Sequence, residues 1–154
     1  MRVEYINPFV EATFSILKEV LNTKVERGEL YLKPTSHPVL GVAAIVGLAG
    51  DVEGRVLFDM ARETAISIAS IMNGEELTEF DELGKATIAE LANMITAQAV
   101  TKLHDLGFRF DLTPPALITG INMEVSSPNV EALIVPVTLP QGKLEINVAI
   151  RERA

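Results

Sequence analysis

Apolar residues recur at helical spacing in the first part of the chain. Pro8 suits a first helical turn, and Asn7 before it can cap that turn. The apolar side chains that follow recur at helical spacing, singly or as adjacent pairs: Phe9, Phe14, Ile16, Leu17, Val20 and Leu21. The pattern predicts a helix over residues 8–22.

After the segment VERGEL (25–30) the pattern becomes that of strands. Three short segments are rich in β-branched residues and separated by glycine and proline: ELYLKP, VLGVAAIVGLAG and VEGRVLFDM. They predict three strands, and the last two form a hairpin near Gly50 and Asp51. A helix over about 62–72 follows, and Asn73 with Gly74 is a typical C-terminal stop.

A second long helix is predicted after this stop. Thr78, with Asp81 three residues later, resembles a capping box that opens it. Its last turns contain Lys102 and His104, which suit the negative end of the helix dipole, and it should end near Leu106. Three more strand-like segments come after it: ALITGINMEVS, ALIVPVTLP and KLEINVAIRE.

The order of one long helix and three strands therefore occurs twice. We predict an α+β fold in which long helices pack on an antiparallel sheet, and the repeated order suggests two related halves. The strands VAAIVGLAG and EALIVPVTL are unusually apolar, which indicates coverage on both sides or association with another chain.

Length and composition narrow the possible functions. The 154 residues suit one domain, and we expect a single domain over 1–154. Thirteen basic and 21 acidic side chains give a formal net charge of −8, which argues against nucleic acid and acidic membrane surfaces as partners. The chain has no cysteine, no long apolar run and no secretory start, so we expect a cytoplasmic protein without thiolate chemistry.

The segment TIAELANMITAQA (87–99) places two polar side chains in a helix that is otherwise apolar. Glu90 and Asn93 are three residues apart, so they lie on one face in adjacent turns. The apolar stripe that should face the sheet is Ile88, Leu91, Ala92, Ile95, Ala99 and Leu103. The pair shares its own stripe with Ala86, Ala97 and Thr101, so both side chains should project from a surface of small residues.

On the residues alone, an ordinary surface glutamate and a tolerated asparagine explain this pair more simply. The same E-x-x-N spacing occurs at Glu19 and Asn22, where Asn22 is expected to cap the end of the first helix. Asn93, however, lies in a helix interior, where asparagine is unfavourable because its side chain competes for the backbone. The presence of Asn93 inside this helix therefore needs a further explanation.

Other candidate sites are weaker. His37 and His104 are the only histidines and have no nearby ligand pattern, so a loop residue and a helix-end residue are expected. The acidic segment EELTEFDE (75–82) is better explained by the positive end of the following helix than by steering of a partner. GLAGDVEG (47–54) lacks the lysine of a phosphate loop and is predicted to be a hairpin turn.

Two segments carry a resemblance to a known family: AELANMITAQAV, which follows an acidic helix start, and EYINPFVEA near the beginning of the sequence. In both segments the chain resembles the CheC/CheX/FliY phosphatases of bacterial chemotaxis, and the single-domain CheX type most of all. The family pattern is an acidic residue or serine, then Glu and Asn three residues apart, then a proline. Glu90 and Asn93 match it, and Pro114 or Pro115 lies one or two residues short of the expected spacing. The acidic or serine position holds Ala86.

The resemblance implies a CheC-like fold and hydrolysis of the aspartyl phosphate of a response regulator, on a CheY-like receiver domain. It implies that Asn93 orients the attacking water and that Glu90 pairs with a receiver lysine. The receiver brings its own Mg²⁺, so this chain is expected to bind no cofactor or metal. The resemblance also implies a homodimer that joins strands across subunits.

Two other functions stay open. A noncatalytic module of the same fold could bind or dimerise in another signalling pathway. A small-molecule hydrolase with carboxylate acid–base chemistry is disfavoured, because no second carboxylate or histidine is suitably placed beside Glu90. In the first half, the positions that correspond to Glu90 and Asn93 are Val10 and Thr13, so that half is expected to be inactive.

Overall fold

The computed structural model describes residues 3–33, 36–38, 40–120, 124–126 and 132–152. The helices of this part are α1 (Val3–Leu21), α2 (Arg62–Asn73) and α3 (Glu82–Asp105). Its strands are β1 (Glu26–Arg27), β2 (Tyr31–Lys33), β3 (Ser36–Pro38), β4 (Val42–Gly50), β5 (Val52–Met60), β6 (Phe110–Leu112), β7 (Ala116–Thr119), β8 (Glu124–Ser126), β9 (Ala132–Leu139) and β10 (Gly142–Glu152). The predicted α+β class is confirmed.

Two hairpins form the middle of an eight-stranded sheet with the order β1-β9-β10-β5-β4-β6. The hairpin β4–β5 turns at Asp51, as predicted, and the hairpin β9–β10 turns at Pro140–Gln141. The first half's β2 pairs with β9, and the second half's β7 pairs with β4, while β5 and β10 pair at the centre. Each half thus contributes a strand that pairs with a strand of the other half. A separate two-stranded sheet joins β3 to β8.

The main core lies between the three helices and one face of this sheet. On β10, Leu144, Ile146 and Val148 belong to the core cluster that also contains the apolar stripes of α1 and α3. The alternate residue Ala149 belongs to a separate buried cluster with Ala132 and Ile134. Because successive side chains of a strand point to opposite faces, both faces of β9 and β10 are buried within one chain. Coverage on both sides therefore explains the apolar strand EALIVPVTL.

The first helix begins at Val3, so the predicted start at residue 8 and the Asn7 cap are wrong. Pro8 lies inside α1. Tyr5 and Ile6 are buried, and the ring of Tyr5 meets that of Phe108 edge to face with 5.0 Å between centroids. Tertiary packing therefore stabilises a first turn that the proline alone would weaken.

The capping box at Thr78 is also wrong. The N-cap of α3 is Asp81, whose carboxylate accepts a hydrogen bond from the Gly84 N–H at 3.0 Å. Phe80, just before the cap, is buried, whereas Thr78 is exposed. Burial of the phenyl ring therefore places the helix start three residues later than predicted.

Two predicted strands are shorter or divided. ELYLKP contributes only the three residues of β2, and ALITGINMEVS contains β7 and β8 with Gly120 after β7. Parts of these two segments, and the first residue of the apolar segment EALIVPVTL, lie outside the described residues. The short strands β1, β3 and β6 were not predicted, since two or three residues carry no periodicity. No helix in the described segments is long and apolar enough to cross a membrane.

Candidate active site

The exposed residues in the middle of α3 form one stripe along its solvent side. Glu90 and Asn93 are exposed in this stripe, as the periodicity predicted, together with Ala86, Ala97 and Thr101. All six residues of the predicted apolar stripe are buried: Ile88, Leu91, Ala92, Ile95, Ala99 and Leu103. The polar pair thus projects from a surface of small side chains, on the helix face turned away from the core.

The helix that carries the pair is anchored at both ends. Near its start, the Asn73 side-chain amide at the end of α2 donates to the Thr87 hydroxyl at 2.8 Å, and that hydroxyl donates to the Leu83 carbonyl at 2.7 Å. Near its end, the Lys102 ammonium forms an ion pair with Glu11 of α1. Buried residues along the whole inner face complete the support, so the pair stands on a rigid element.

The side chains of Glu90 and Asn93 project from α3 without a polar partner among the described residues. Within the described part of the chain, neither side chain forms a hydrogen bond or an ion pair. Residues three apart on a helix have Cβ atoms about 5–6 Å apart, so one carboxylate and one amide are presented together. The carboxylate accepts hydrogen bonds and can bind an ammonium group, while the amide can donate and accept at once.

A second group of polar side chains, on the other face of the sheet, has internal partners. Asp59 is fully buried and accepts hydrogen bonds from the Leu40 N–H at 2.9 and 3.0 Å. The Tyr31 hydroxyl donates to Glu145, which lies opposite Asp59 on the neighbouring strand. Burial first, and then the hydrogen bond to Glu145, raise the pKa of Tyr31 to about 12. The carboxylates of Asp59 and Glu145 therefore accept hydrogen bonds from within the protein, in contrast to that of Glu90.

The remaining sequence candidates lie elsewhere. Asn22 follows the last residue of α1 and has a φ of 47°, so the second E-x-x-N copy is a helix end, as predicted. His104 is in the last turn of α3 and packs edge to face on Phe110, and His37 lies in β3 with a side chain outside the described set. In the described segments no group of three or more His, Asp or Glu is placed to hold a metal ion.

Pro114 and Pro115 lie between β6 and β7, and β7 contacts α3. The sequence reasoning missed one residue of the exposed stripe: Leu83, seven residues before Glu90, is also exposed. Helical spacing alone could have found it, because seven residues bring a side chain back to the same face.

Comparisons with known proteins agree with this geometry. Residues 42–138, more than half of the chain, match the family described as Chemotaxis phosphatase CheX. A relative from Thermotoga maritima, named CheY-P phosphatase CheX, is 29% identical over 132 residues that cover 82% of this chain and 83% of its own.

Solved structures share the fold over nearly the whole chain. The CheX of the CheX–CheY–BeF3–Mg²⁺ complex from Borrelia burgdorferi is 47% identical, with a TM-score of 0.85 over 98% of this chain and 100% of its own. A CheC-like superfamily protein from Shewanella sp. PV-4 is 26% identical, with a TM-score of 0.88 over 98% of this chain and 99% of its own. The predicted CheC-like fold is thus confirmed, and this chain belongs to the chemotaxis phosphatase CheX family.

Proposed function

We propose that this protein is a phosphatase that hydrolyses the aspartyl phosphate of a CheY-like response regulator in bacterial chemotaxis, in the cytoplasm. The observation that carries the proposal is the exposed Glu90 and Asn93 pair on a rigid helix in a member of the CheX family. The names of two relatives support it: one is called a CheY-P phosphatase, and the other was crystallised with CheY and BeF3.

In this proposal Asn93 orients the water that attacks the phosphorus atom. The water oxygen forms the new bond, the bond from phosphorus to the aspartyl oxygen breaks, and the products are inorganic phosphate and the free receiver carboxylate. Phosphoryl transfer of this kind depends on alignment and charge neutralisation more than on covalent help from the protein. A carboxamide can accept a hydrogen bond from the water and donate one to an oxygen of the phosphoryl group.

Glu90 has the separate task of docking. Its carboxylate would pair with the lysine beside the receiver's phosphoaspartate, which holds the amide of Asn93 at the phosphoryl group. Among the described residues Glu90 has no cation of its own, so pairing with the receiver displaces no internal ion pair. The exposed small side chain of Ala97 beside Asn93 lets a partner surface approach the helix closely.

The magnesium ion belongs to the receiver in this proposal. It would neutralise charge on the phosphoryl oxygens from the receiver's side, and this chain would add only the amide and the carboxylate. The chain itself would bind no cofactor.

The proposal includes a homodimer. Large apolar side chains are exposed on the sheet and its flanking segments, away from the α3 stripe: Leu30, Tyr31, Leu32, Leu40 and Ile118. Apolar surface of this kind favours contact with a second copy. The active stripe of α3 would stay accessible in each copy.

The alternative is a noncatalytic binding module of the same fold. It is favoured by one observation: Ala86 stands where the family pattern has an acidic residue or serine, one turn before Glu90. The two functions differ in an assay of a phosphorylated receiver with and without the protein, joined to a binding measurement on the receiver carrying beryllofluoride. Faster phosphate loss supports the phosphatase, and binding without any acceleration would leave the binding module.

A further inference from the structure

Leu83 lies on the same face of α3 as the polar pair. It is seven residues before Glu90 and ten before Asn93, which places it about 10 Å and about 15 Å away along the helix axis. It points in nearly the same direction as Glu90 and is turned about 80° around the axis from Asn93. The side chain is 42% exposed. Between Leu83 and Glu90 the exposed stripe contains only Ala86.

Leu83 is not part of the hydrophobic core cluster. The start of α3 is held by the Asp81 cap and by the buried ring of Phe80, and Leu83 is not among the side chains packed on the core. Single exposed leucines are common on protein surfaces, so exposure alone carries no argument. The argument rests on its register with Glu90 and Asn93.

The size of a docking surface makes this register relevant. A standard protein–protein interface buries about 800 Å² on each partner, which corresponds to a disc with a radius of about 16 Å. A receiver centred on Glu90 and Asn93 would therefore cover the position of Leu83. Two polar side chains give orientation, whereas most of the binding energy of an interface comes from a few well-packed, desolvated side chains.

We infer that Leu83 is an apolar anchor for the receiver domain that docks on Glu90 and Asn93. This inference rests on the proposed function and names the contact that lies outside the phosphorylation pocket. The partner surface is an apolar patch of the receiver, about 10 Å from the point where Glu90 enters. Leu83 touches no reacting atom and acts on affinity.

Steady-state dephosphorylation over a range of phosphorylated receiver concentrations tests the inference. Leu83→Gln should raise KM about tenfold and leave kcat within about twofold, because the lost contact lies outside the reacting centre. Leu83→Met should behave like the parent protein. Leu106→Gln is the matched control, since Leu106 is an exposed leucine at the C-cap of α3, about 20 Å beyond Asn93 along the helix axis.

Ionic strength separates the apolar contact from the ionic one. The effect of Leu83→Gln on KM should persist at high salt, whereas the effect of Glu90→Gln should shrink as salt screens the ion pair. Binding to the beryllofluoride-loaded receiver, measured by calorimetry, should weaken in Leu83→Gln by the same factor as KM rises.

The outcomes distinguish this inference from the proposed function. If Asn93→Ala loses activity while Leu83→Gln keeps the parent KM and binding affinity, the anchor is overturned and the phosphatase proposal stands. If the parent protein binds the loaded receiver but does not accelerate phosphate loss, the phosphatase proposal fails, and weaker binding of Leu83→Gln still supports the anchor. An equal loss in Leu106→Gln would show that the effect is not specific to the stripe and would overturn the anchor.

Discussion

The two long helices α1 and α3 are neighbours with different exposed faces. From Glu4 to Leu21, the exposed residues of α1 are all polar: Glu4, Asn7, Glu11, Ser15, Lys18 and Glu19. In α3, the charged residues Glu82 and Asp105 are exposed at the two ends. The stripe between them has one charge, one amide and otherwise small or apolar side chains: Leu83, Ala86, Glu90, Asn93, Ala97 and Thr101. The face of α1 is typical of a helix surface in water, whereas the middle of the α3 face is poor in charged side chains, as the cores of protein–protein interfaces are.

The equivalent positions of the two helices also differ in direction. Val10 and Thr13 of α1 are buried, and the Thr13 hydroxyl donates to the carbonyl of Phe9 at 2.7 Å. A glutamate and an asparagine at those positions would therefore point into the core. The candidate site on α3 therefore depends on how the helix is turned about its own axis as well as on which residues it carries.

The largest expected effect is that of Asn93→Ala. We expect kcat for receiver dephosphorylation to fall about 100-fold, the loss typical when one positioned hydrogen-bonding group is removed from a reacting centre. Binding to the beryllofluoride-loaded receiver and the thermal melting curve should change little, because the side chain is exposed and unpartnered among the described residues. Rates measured at saturating receiver check this prediction.

Asn7→Ala in α1 is the matched control for Asn93→Ala, because Asn7 is an exposed asparagine inside the other long helix. It should keep full activity. An equal loss of rate in both variants would show that the effect is not specific to α3 and would contradict the role proposed for Asn93.

Glu90→Ala should have a smaller effect that includes binding. Loss of one ion pair across the interface should lower kcat/KM about tenfold at low salt, through a higher KM and a poorer alignment of Asn93. The defect should shrink as salt is added, since screening already weakens the pair in the parent protein. Initial rates at several salt concentrations measure this dependence.

Glu19→Ala provides the comparison in α1. Glu19 is exposed and precedes Asn22 by the same spacing, so it tests whether the E-x-x-N pattern has any effect outside α3. We expect no change in kcat/KM. A salt-dependent loss in Glu19→Ala as large as that in Glu90→Ala would show that general surface charge, and not the stripe of α3, controls docking.

The sequence was sufficient where one segment determines its own structure. The exposed and buried faces of α3 follow from helical spacing, and the turn at Asp51 and the stop at Gly74 follow from local backbone preference. For the same reason, helical spacing alone puts Glu90 and Asn93 side by side on one face. Leu83 obeys the same spacing, so helical periodicity also places it on the face of Glu90.

Other features depend on contacts between distant segments and could not be predicted. The pairing of Tyr31 with Ile134 joins residues of the two halves, and the start of α1 at Val3 depends on the packing of Tyr5 on Phe108. The start of α3 depends on burial of Phe80, so the sequence signal at Thr78 was misleading. Roles of the site residues came from a family resemblance, because periodicity gives only the direction of a side chain.

The smallest expected effect on activity is that of Asp81→Ala, which changes the support of α3 without changing its exposed face. Loss of the hydrogen bond from the Gly84 N–H should lower the free energy of unfolding by about 1 kcal/mol. Activity per folded molecule should stay within twofold at a temperature where the variant is folded, because Asn93 lies twelve residues beyond the cap. Denaturant unfolding measures the first quantity and receiver dephosphorylation the second.

Thr78→Ala completes the test, because Thr78 is exposed and does not cap α3. Its free energy of unfolding should match that of the parent protein, whereas a loss as large as that of Asp81→Ala would restore the capping role predicted from the sequence. A fall in activity of folded Asp81→Ala comparable to that of Asn93→Ala would mean that the α3 face depends on its first turn. The functional difference between α1 and α3 would then depend on how each helix is held in the fold and not on the residues of the exposed stripe.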